Sequence, residues 1–391
     1  MKDYKHFETK AVRYQSDQTY NKEHSVPIYA TSSFLFDNAE EARALFDNEI
    51  EGNIYSRFSN PNNEEFITKL CLLEGLEDGV ATASGMAAMF LSIAAFLEQG
   101  DHLIASRALF GSTHQIITQV LPKWGITHTY VDTNHPETWE SAVLPNTKML
   151  FLETPSNPGL DIIDLEIAGA FAEKYNLIFN VDNCFATPYL QNPAKWGAHL
   201  VSHSATKFID GQGRVIGGEI LGKKELMEKV RFLNRHIGPS MSPFNSWILS
   251  KSLETLAVRM DRHCQNALEL ARFLEDHKDV NWVKYPFLSS HPKYEVAKKQ
   301  MSQGGGMVSF EIKGGIERGS RFLNNVKMMS LTANLGDTRT IATHPASTTH
   351  SKLSNEDKMA VGITDGLIRI SVGLEHINDI IEDIEQALEK S

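Results

Sequence analysis

The sequence predicts an α/β protein with a mostly parallel central sheet, helices on both of its faces, and a smaller C-terminal α+β domain. Three observations predict it. Short apolar runs at Leu103–Ala105, Thr127–Val131, Met149–Leu152, Leu177–Val181 and Leu200–Ser202 recur about 20–30 residues apart, the spacing of strand–helix–strand units. Helix-like segments fill most of the intervals. Later, Val308, Phe310 and Ile312, and then Ile368, Ile370 and Val372, alternate with polar residues as half-buried strands do.

The elements follow in order. Residues 1–60 are polar and irregular, an arm that needs something else to pack on. Residues 61–256 hold the recurring apolar runs and form the large domain. From about Asn245 to Asp276, Leu249, Leu253, Leu256, Met260, Ala267, Ala271 and Leu274 step by three and four, so a long helix buries one stripe. It leads into a C-terminal domain over residues 257–391. That domain closes on a helix carrying Ile377, Ile380, Ile381, Ile384 and Leu388 on one face.

Composition narrows the class. With 391 residues, 41% hydrophobic and 22% charged, the chain is of ordinary globular make-up and long enough for two domains. A net charge of -11 argues against a phosphate-backbone binder and so against nucleic acid as a partner. The N-terminus has no apolar signal region, and the nearly apolar run Gly85–Leu97 is too short to cross a bilayer. Cys71, Cys184 and Cys264 are far apart and odd in number, as expected of reduced thiols in a cytoplasm. No metal is expected: His344 and His350 lie in a Pro/Ser/Thr-rich loop and are taken as structural histidines.

Chemistry is expected beyond the carboxyl ends of the strands, where open α/β sheets bind ligands. The successive strand ends lead to Phe110, to Asn157 in "ETPSNP" (Glu153–Pro158), to Asp182, and to Ser204, Thr206 and Lys207 in "SATKFIDGQGRVIGG". The last stretch is not a Walker loop, because its glycines follow the lysine. Nor is it a dinucleotide fingerprint, because Gly211, Gly213 and Gly217 are wrongly spaced. The set suits pyridoxal 5'-phosphate: an amine for the aldehyde, a carboxylate for the ring nitrogen, hydroxyls for the phosphate. Ser84-Gly85-Met86 opens an Ala-rich helix whose free amides suit the same phosphate. Singly, Lys207 reads as a solvated lysine, Asp182 as a turn residue and Phe110 as core; their order along the strand ends favours Lys207 as nucleophile.

These motifs resemble the γ-subfamily of fold-type I pyridoxal-phosphate enzymes of cysteine and methionine metabolism. The likeness runs from "YSRFSNP" (Tyr55–Pro61) to "RISVGLE" (Arg369–Glu375), through "VDNCFATP", "HSATKFIDG" and "LGDTRTIATHPASTTH". It implies the fold-type I architecture and a role for each residue. Lys207 bonds the cofactor aldehyde and shuttles protons, Asp182 pairs with the ring nitrogen, Asn157 meets the ring hydroxyl and Phe110 stacks on the ring. Ser84, Gly85, Met86, Ser204 and Thr206 hold the phosphate, while Tyr55 and Arg57 reach the cofactor of a neighbouring subunit. Arg369 binds the substrate α-carboxylate as a fork, with Asn157, Asn334 and Arg339 on the substrate side. Homo-oligomers are implied, active dimers pairing into tetramers.

Within the subfamily the likeness is greatest to the sulfhydrylase branch, which takes O-succinylhomoserine and sulfide to homocysteine. Phe110 stands where most lyases and synthases have tyrosine, Ser112 where methionine γ-lyases have cysteine, and Gln115 near the arginine of cystathionine-handling enzymes. Arg339 would attract the free carboxylate of a succinyl group, with an exposed surface arginine as the alternative. A γ-lyase, a cystathionine synthase and a non-catalytic cofactor-binding regulator are the rival readings.

Overall fold

The computed structural model describes residues 4–348, 358 and 362–391. Seven strands form the large sheet: β1 (Asp78–Thr82), β2 (His102–Ser106), β3 (Thr127–Val131), β4 (Thr147–Glu153), β5 (Ile178–Asp182), β6 (Leu200–His203) and β7 (Gly218–Gly222). Their order is β1-β7-β6-β5-β4-β2-β3, parallel throughout except for β7, which runs against both neighbours. Five of these strands coincide with the apolar runs of the sequence. The other two, β1 and β7, are rich in glycine, alanine and charged residues and carry little strand signal of their own. Pairing defines them instead: any side chain at Gly79 would lie 2.9 Å from the carbonyl oxygen of Ile220.

Both faces of the sheet are covered, which is why its strands are apolar on both sides. Along β4 the residues divide by parity. Met149 and Phe151 pack with Ala88 and Leu91 of the helix Gly85–Ala94 and Met227 of the helix Lys224–Ile237. Leu150 and Leu152 pack on the opposite face with Leu165, Ala168 and Ala172 of the helix Leu165–Lys174. Such a layer places all the parallel strand ends along one edge.

A second sheet holds β8 (Val280–Lys284), β9 (Met307–Ile312), β10 (Ser330–Leu331), β11 (Ile341–Thr343) and β12 (Leu367–Ser371), in the order β10-β11-β12-β9-β8. The alternation in β9 and β12 holds, but both faces are buried rather than one. Val308, Phe310, Ile368 and Ile370 meet the helices Leu256–Glu275 and Ile377–Lys390. Ser309 and its register partner Arg369 face the other way, toward the loop after β4, where Ser309 Oγ donates to the Pro158 carbonyl at 2.7 Å. The N-terminal stretch is less irregular than its composition suggests, with helices at Phe7–Arg13 and Ala39–Phe46. Ala11 joins the core, whereas Leu35 and Tyr20 are almost fully exposed. Among the described residues, no helix is long and apolar enough to cross a membrane. His350 lies outside the described residues.

The expected single helix over 245–276 is two helices, Pro243–Leu253 and Leu256–Glu275. The cause is Arg259. Its buried guanidinium takes the carbonyls of Ser252 and Ile209, each at 3.0 Å, and of Phe208 at 2.6 Å. The Ser252 carbonyl is thereby drawn out of the regular helical ladder, and Thr255 donates to it in a tighter turn. The same arginine clamps the two residues after Lys207 and lies against Gly211, where an added Cβ would fall 2.0 Å from Nη1. Replacing Arg259 by leucine should strip the Phe208 and Ile209 carbonyls of their donor, take one donor from that of Ser252, and destabilise the protein by about 3 kcal/mol. Urea unfolding checks this; a loss below about 0.5 kcal/mol, the usual surface value, would contradict the clamp.

Candidate active site

At the carboxyl edge of the large sheet lies a cleft of about 260 Å³, roofed by the loop before β11 and by β12. Its floor begins with the helix Gly85–Ala94. Ser84 caps it, its hydroxyl accepting from the Ala87 amide at 3.2 Å. Among the described residues no acceptor meets the Gly85 and Met86 amides, so the positive end of the helix opens on the cleft. Gly85 is required by close approach: a Cβ there would lie 2.4 Å from that of Ser204. Thr206 lines the same corner and exchanges hydrogen bonds with Gly217, donating from Oγ1 at 3.2 Å and accepting at 3.1 Å. Amides and hydroxyls converge here as an anion needs.

The next corner is acidic. Glu153 and Asp182 end β4 and β5 as register partners. Asp182 Oδ1 accepts from the Cys184 amide at 3.0 Å, and Glu153 Oε2 accepts from the Phe110 amide at 2.7 Å. Burial pushes Asp182 up to about 6, against the pull of the Cys184 amide and His203. Burial and then the Asp182 charge hold Glu153 well above the usual carboxylate range. Behind them, His203 Nε2 meets Glu74 Oε1 at 2.6 Å. Burial lowers the His203 imidazole, but the Glu74 hydrogen bond and charge outweigh it and leave it above its ordinary value. Glu219, the register partner of His203, is wholly buried with neither carboxyl oxygen hydrogen-bonded among the described residues, and burial pushes it up to about 8.

The amine stands opposite. Lys207 Nζ donates to Asn334 Oδ1 at 2.7 Å, and burial lowers its pKa, with Arg369 adding repulsion. Gly336, with φ of 76°, lets the Asn334 loop run directly over the Lys207 backbone. Arg369 Nη1 donates to Asn157 Oδ1 at 2.7 Å. Its Nε is buried without a partner among the described residues, and burial pushes the group down to about 10. A half-used fork in the cleft wall is ready for a carboxylate.

The cleft thus gathers Ser84, Gly85, Met86, Phe110, Asn157, Asp182, Ser204, Thr206, Lys207 and Arg369. Asn334 touches it through Lys207. Three expected residues stand elsewhere. Tyr55 and Arg57 lie outside the cleft of their own chain, the Arg57 and Arg235 guanidiniums lying 4.8 and 4.2 Å from the centre of the Phe58 ring. Arg339 does not line the cleft either: Asp337 takes its Nε and Nη2, both at 2.9 Å, and the side chain is 65% exposed. Sequence reasoning passed over Glu153, Thr113, Cys184 and the pair His203–Glu219. Glu153, Cys184 and His203 carried a signal, as members of "ETPSNP", "VDNCFATP" and "HSATKFIDG".

A family model described as Cys/Met metabolism PLP-dependent enzyme matches residues 8–389. The chain belongs to this family. Its cofactor is pyridoxal 5'-phosphate, and the donor set fits: helix amides for a phosphate, an acidic pair for a ring cation, an amine for an aldehyde. A family relative, the O-succinylhomoserine sulfhydrylase of Pseudomonas aeruginosa, is 44% identical over 98% of this chain and 95% of its own length. The L-methionine gamma-lyase of Fusobacterium nucleatum subsp. polymorphum is 45% identical over 94% of this chain and 93% of its own. A Campylobacter jejuni crystal structure containing N'-pyridoxyl-lysine-5'-monophosphate superposes with a TM-score of 0.94 at 35% identity, over 98% of this chain and 99% of that one.

The acidic corner makes a prediction for the cofactor-free protein. Above the ordinary glutamate range and up to about pH 8, folded Glu219 keeps a proton that the unfolded chain has released, so rising pH favours unfolding. Glu219→Gln should remove that slope and gain on the order of 4 kcal/mol over the parent at pH 8 relative to pH 4.5. Urea unfolding at both pH values checks it; parallel behaviour of parent and variant would contradict it.

Proposed function

We propose that the enzyme catalyses γ-replacement, converting O-succinyl-L-homoserine and sulfide to L-homocysteine and succinate. The observation that carries this reading is Phe110. It lines the cleft at the position where lyases and synthases of the subfamily have a tyrosine hydroxyl to assist proton traffic, and it offers a ring face alone. Ser112 and Gln115 point the same way, as does the sulfhydrylase relative at 44% identity.

Pyridoxal phosphate, when bound, supplies an aldehyde for amines and a ring that takes up the electrons left when a C–H bond beside the nitrogen breaks. The chain supplies the rest. The Gly85 and Met86 amides with Ser204 and Thr206 hold the phosphate, Asp182 the ring nitrogen, Asn157 the ring hydroxyl and Phe110 one ring face. Arg369 holds the substrate α-carboxylate through Nε and Nη1, next to Asn157. Lys207 Nζ, its basicity lowered by burial, removes the α-proton and returns protons later. Loss of a β-proton expels succinate from the γ-carbon. Hydrosulfide then adds at that carbon, and the protons return.

Tyr55 and Arg57, standing clear of their own cleft, are suited to a second copy's phosphate. The exposure of Leu35 and Tyr20 supports an arm covered by a partner, and with it a dimer that pairs into a tetramer. Arg339, neutralised by Asp337, is an onlooker to the succinyl group in this arrangement.

Elimination is the second reading, favoured by the methionine gamma-lyase relatives. Product analysis separates the two. Homocysteine should form from the succinyl ester in the presence of sulfide, with little α-keto acid when sulfide is omitted. Lys207→Ala should lower turnover by at least ~10³-fold, the scale of a lost base and nucleophile. Ready α-keto acid and ammonia without a nucleophile would move the enzyme to the lyase branch. Turnover surviving in Lys207→Ala would remove the lysine from the mechanism.

A further inference from the structure

Glu153 has no part in the scheme above, yet it is 4% exposed and ends its strand beside Asp182. Its Oε2 is the acceptor for the Phe110 amide at 2.7 Å. Phe110 has little else to hold it, since it begins a short helix without a side-chain cap and is 41% exposed. Among the described residues neither carboxylate forms an ion pair with a lysine, arginine or histidine. Two neighbouring carboxylates in a dry site cannot both ionise for one cation. We propose that Glu153 is a positioning residue working as a neutral carboxylic acid: one oxygen fixes the Phe110 amide, and the retained proton leaves Asp182 as the single charge for the cofactor's ring nitrogen.

The surroundings decide which partner keeps the proton. Asp182 is faced by the Cys184 amide and by His203 from β6, both of which favour its charged form. Glu153 meets amides of Phe110 and Asn157, but burial and the Asp182 charge prevail. Lys207 bears on Cys184, and Arg369 bears on Lys207. Behind, His203 is paired with Glu74, while burial holds Glu219 from β7 in its neutral form. The charge therefore settles on Asp182. A neutral Glu153 keeps a second anion away from the ring, and its amide contact sets where the Phe110 ring lies.

The inference rests on the roles proposed for Asp182 and Phe110, and the test keeps the two apart. In the holoenzyme, infrared difference spectra between the parent and Glu153→Gln should contain the C=O stretch of a protonated carboxylic acid, deuterium-sensitive and lost in the variant. Glutamine mimics the neutral acid, so its dissociation constant for pyridoxal phosphate should stay within ~3-fold of the parent. Glu153→Ala leaves the Phe110 amide without an acceptor and should weaken binding ~10-fold or more. Absence of the acid band, or glutamine weakening binding as much as alanine, would overturn the proposal. If alanine does not fold, the infrared result on glutamine still decides. Asp182→Asn with undiminished cofactor affinity would instead remove the role of Asp182 itself, a result distinguishable from either Glu153 outcome.

Discussion

The site depends on one electrostatic constraint: two carboxyl groups, Glu153 and Asp182, held side by side at the ends of adjacent parallel strands, with neither in an ion pair among the described residues. A parallel register forces the adjacency, because residues paired across β4 and β5 project to the same face. Desolvation then makes a second charge costly. A ring that carries positive charge relieves it. The proposed electron sink and the binding of the cofactor are thus one interaction, and the strand register sets it before any ligand arrives.

Around this corner the two sheets are tied together. Ser309 and Arg369, both on the face of the small sheet turned away from its own helices, hold the loop after β4 at Pro158 and Asn157. Arg259 holds the chain beyond Lys207 to the interdomain helices. Gly85 and Gly336 admit backbone contacts that a side chain would block. Lys207, the N-terminus of the helix Gly85–Ala94 and Arg369 are therefore placed by packing around one cleft. A substrate bound at Arg369 would touch the loop that carries Asn157, so amino acid and cofactor share a partner.

Much of this was legible in the sequence, and the reasons differ by element. The strands at 103, 127, 149, 178 and 200 are apolar enough to announce themselves, and their ends carry the residues that line the cleft. β1 and β7 did not show, because Asp78-Gly-Val-Ala-Thr and Gly-Glu-Ile-Leu-Gly become strands through pairing rather than propensity. The break at Glu254 was hidden because its cause, Arg259, acts through carbonyls from a distant segment. Arg339 shows the limit most clearly: sequence places it near the cleft, but Asp337, two residues earlier, turns it outward. The pairing of Glu219 with His203 became visible only once register put them side by side.

The claim that most of this account turns on is that Asp182 holds a protonated ring nitrogen. Reconstituting the enzyme with pyridoxal phosphate carrying ¹⁵N in the ring and recording its nitrogen resonance tests this directly. The account predicts a pyridinium signal, unchanged between about pH 6 and pH 9 and shifted to the neutral position in Asp182→Asn. A neutral pyridine signal in the unaltered enzyme would contradict it.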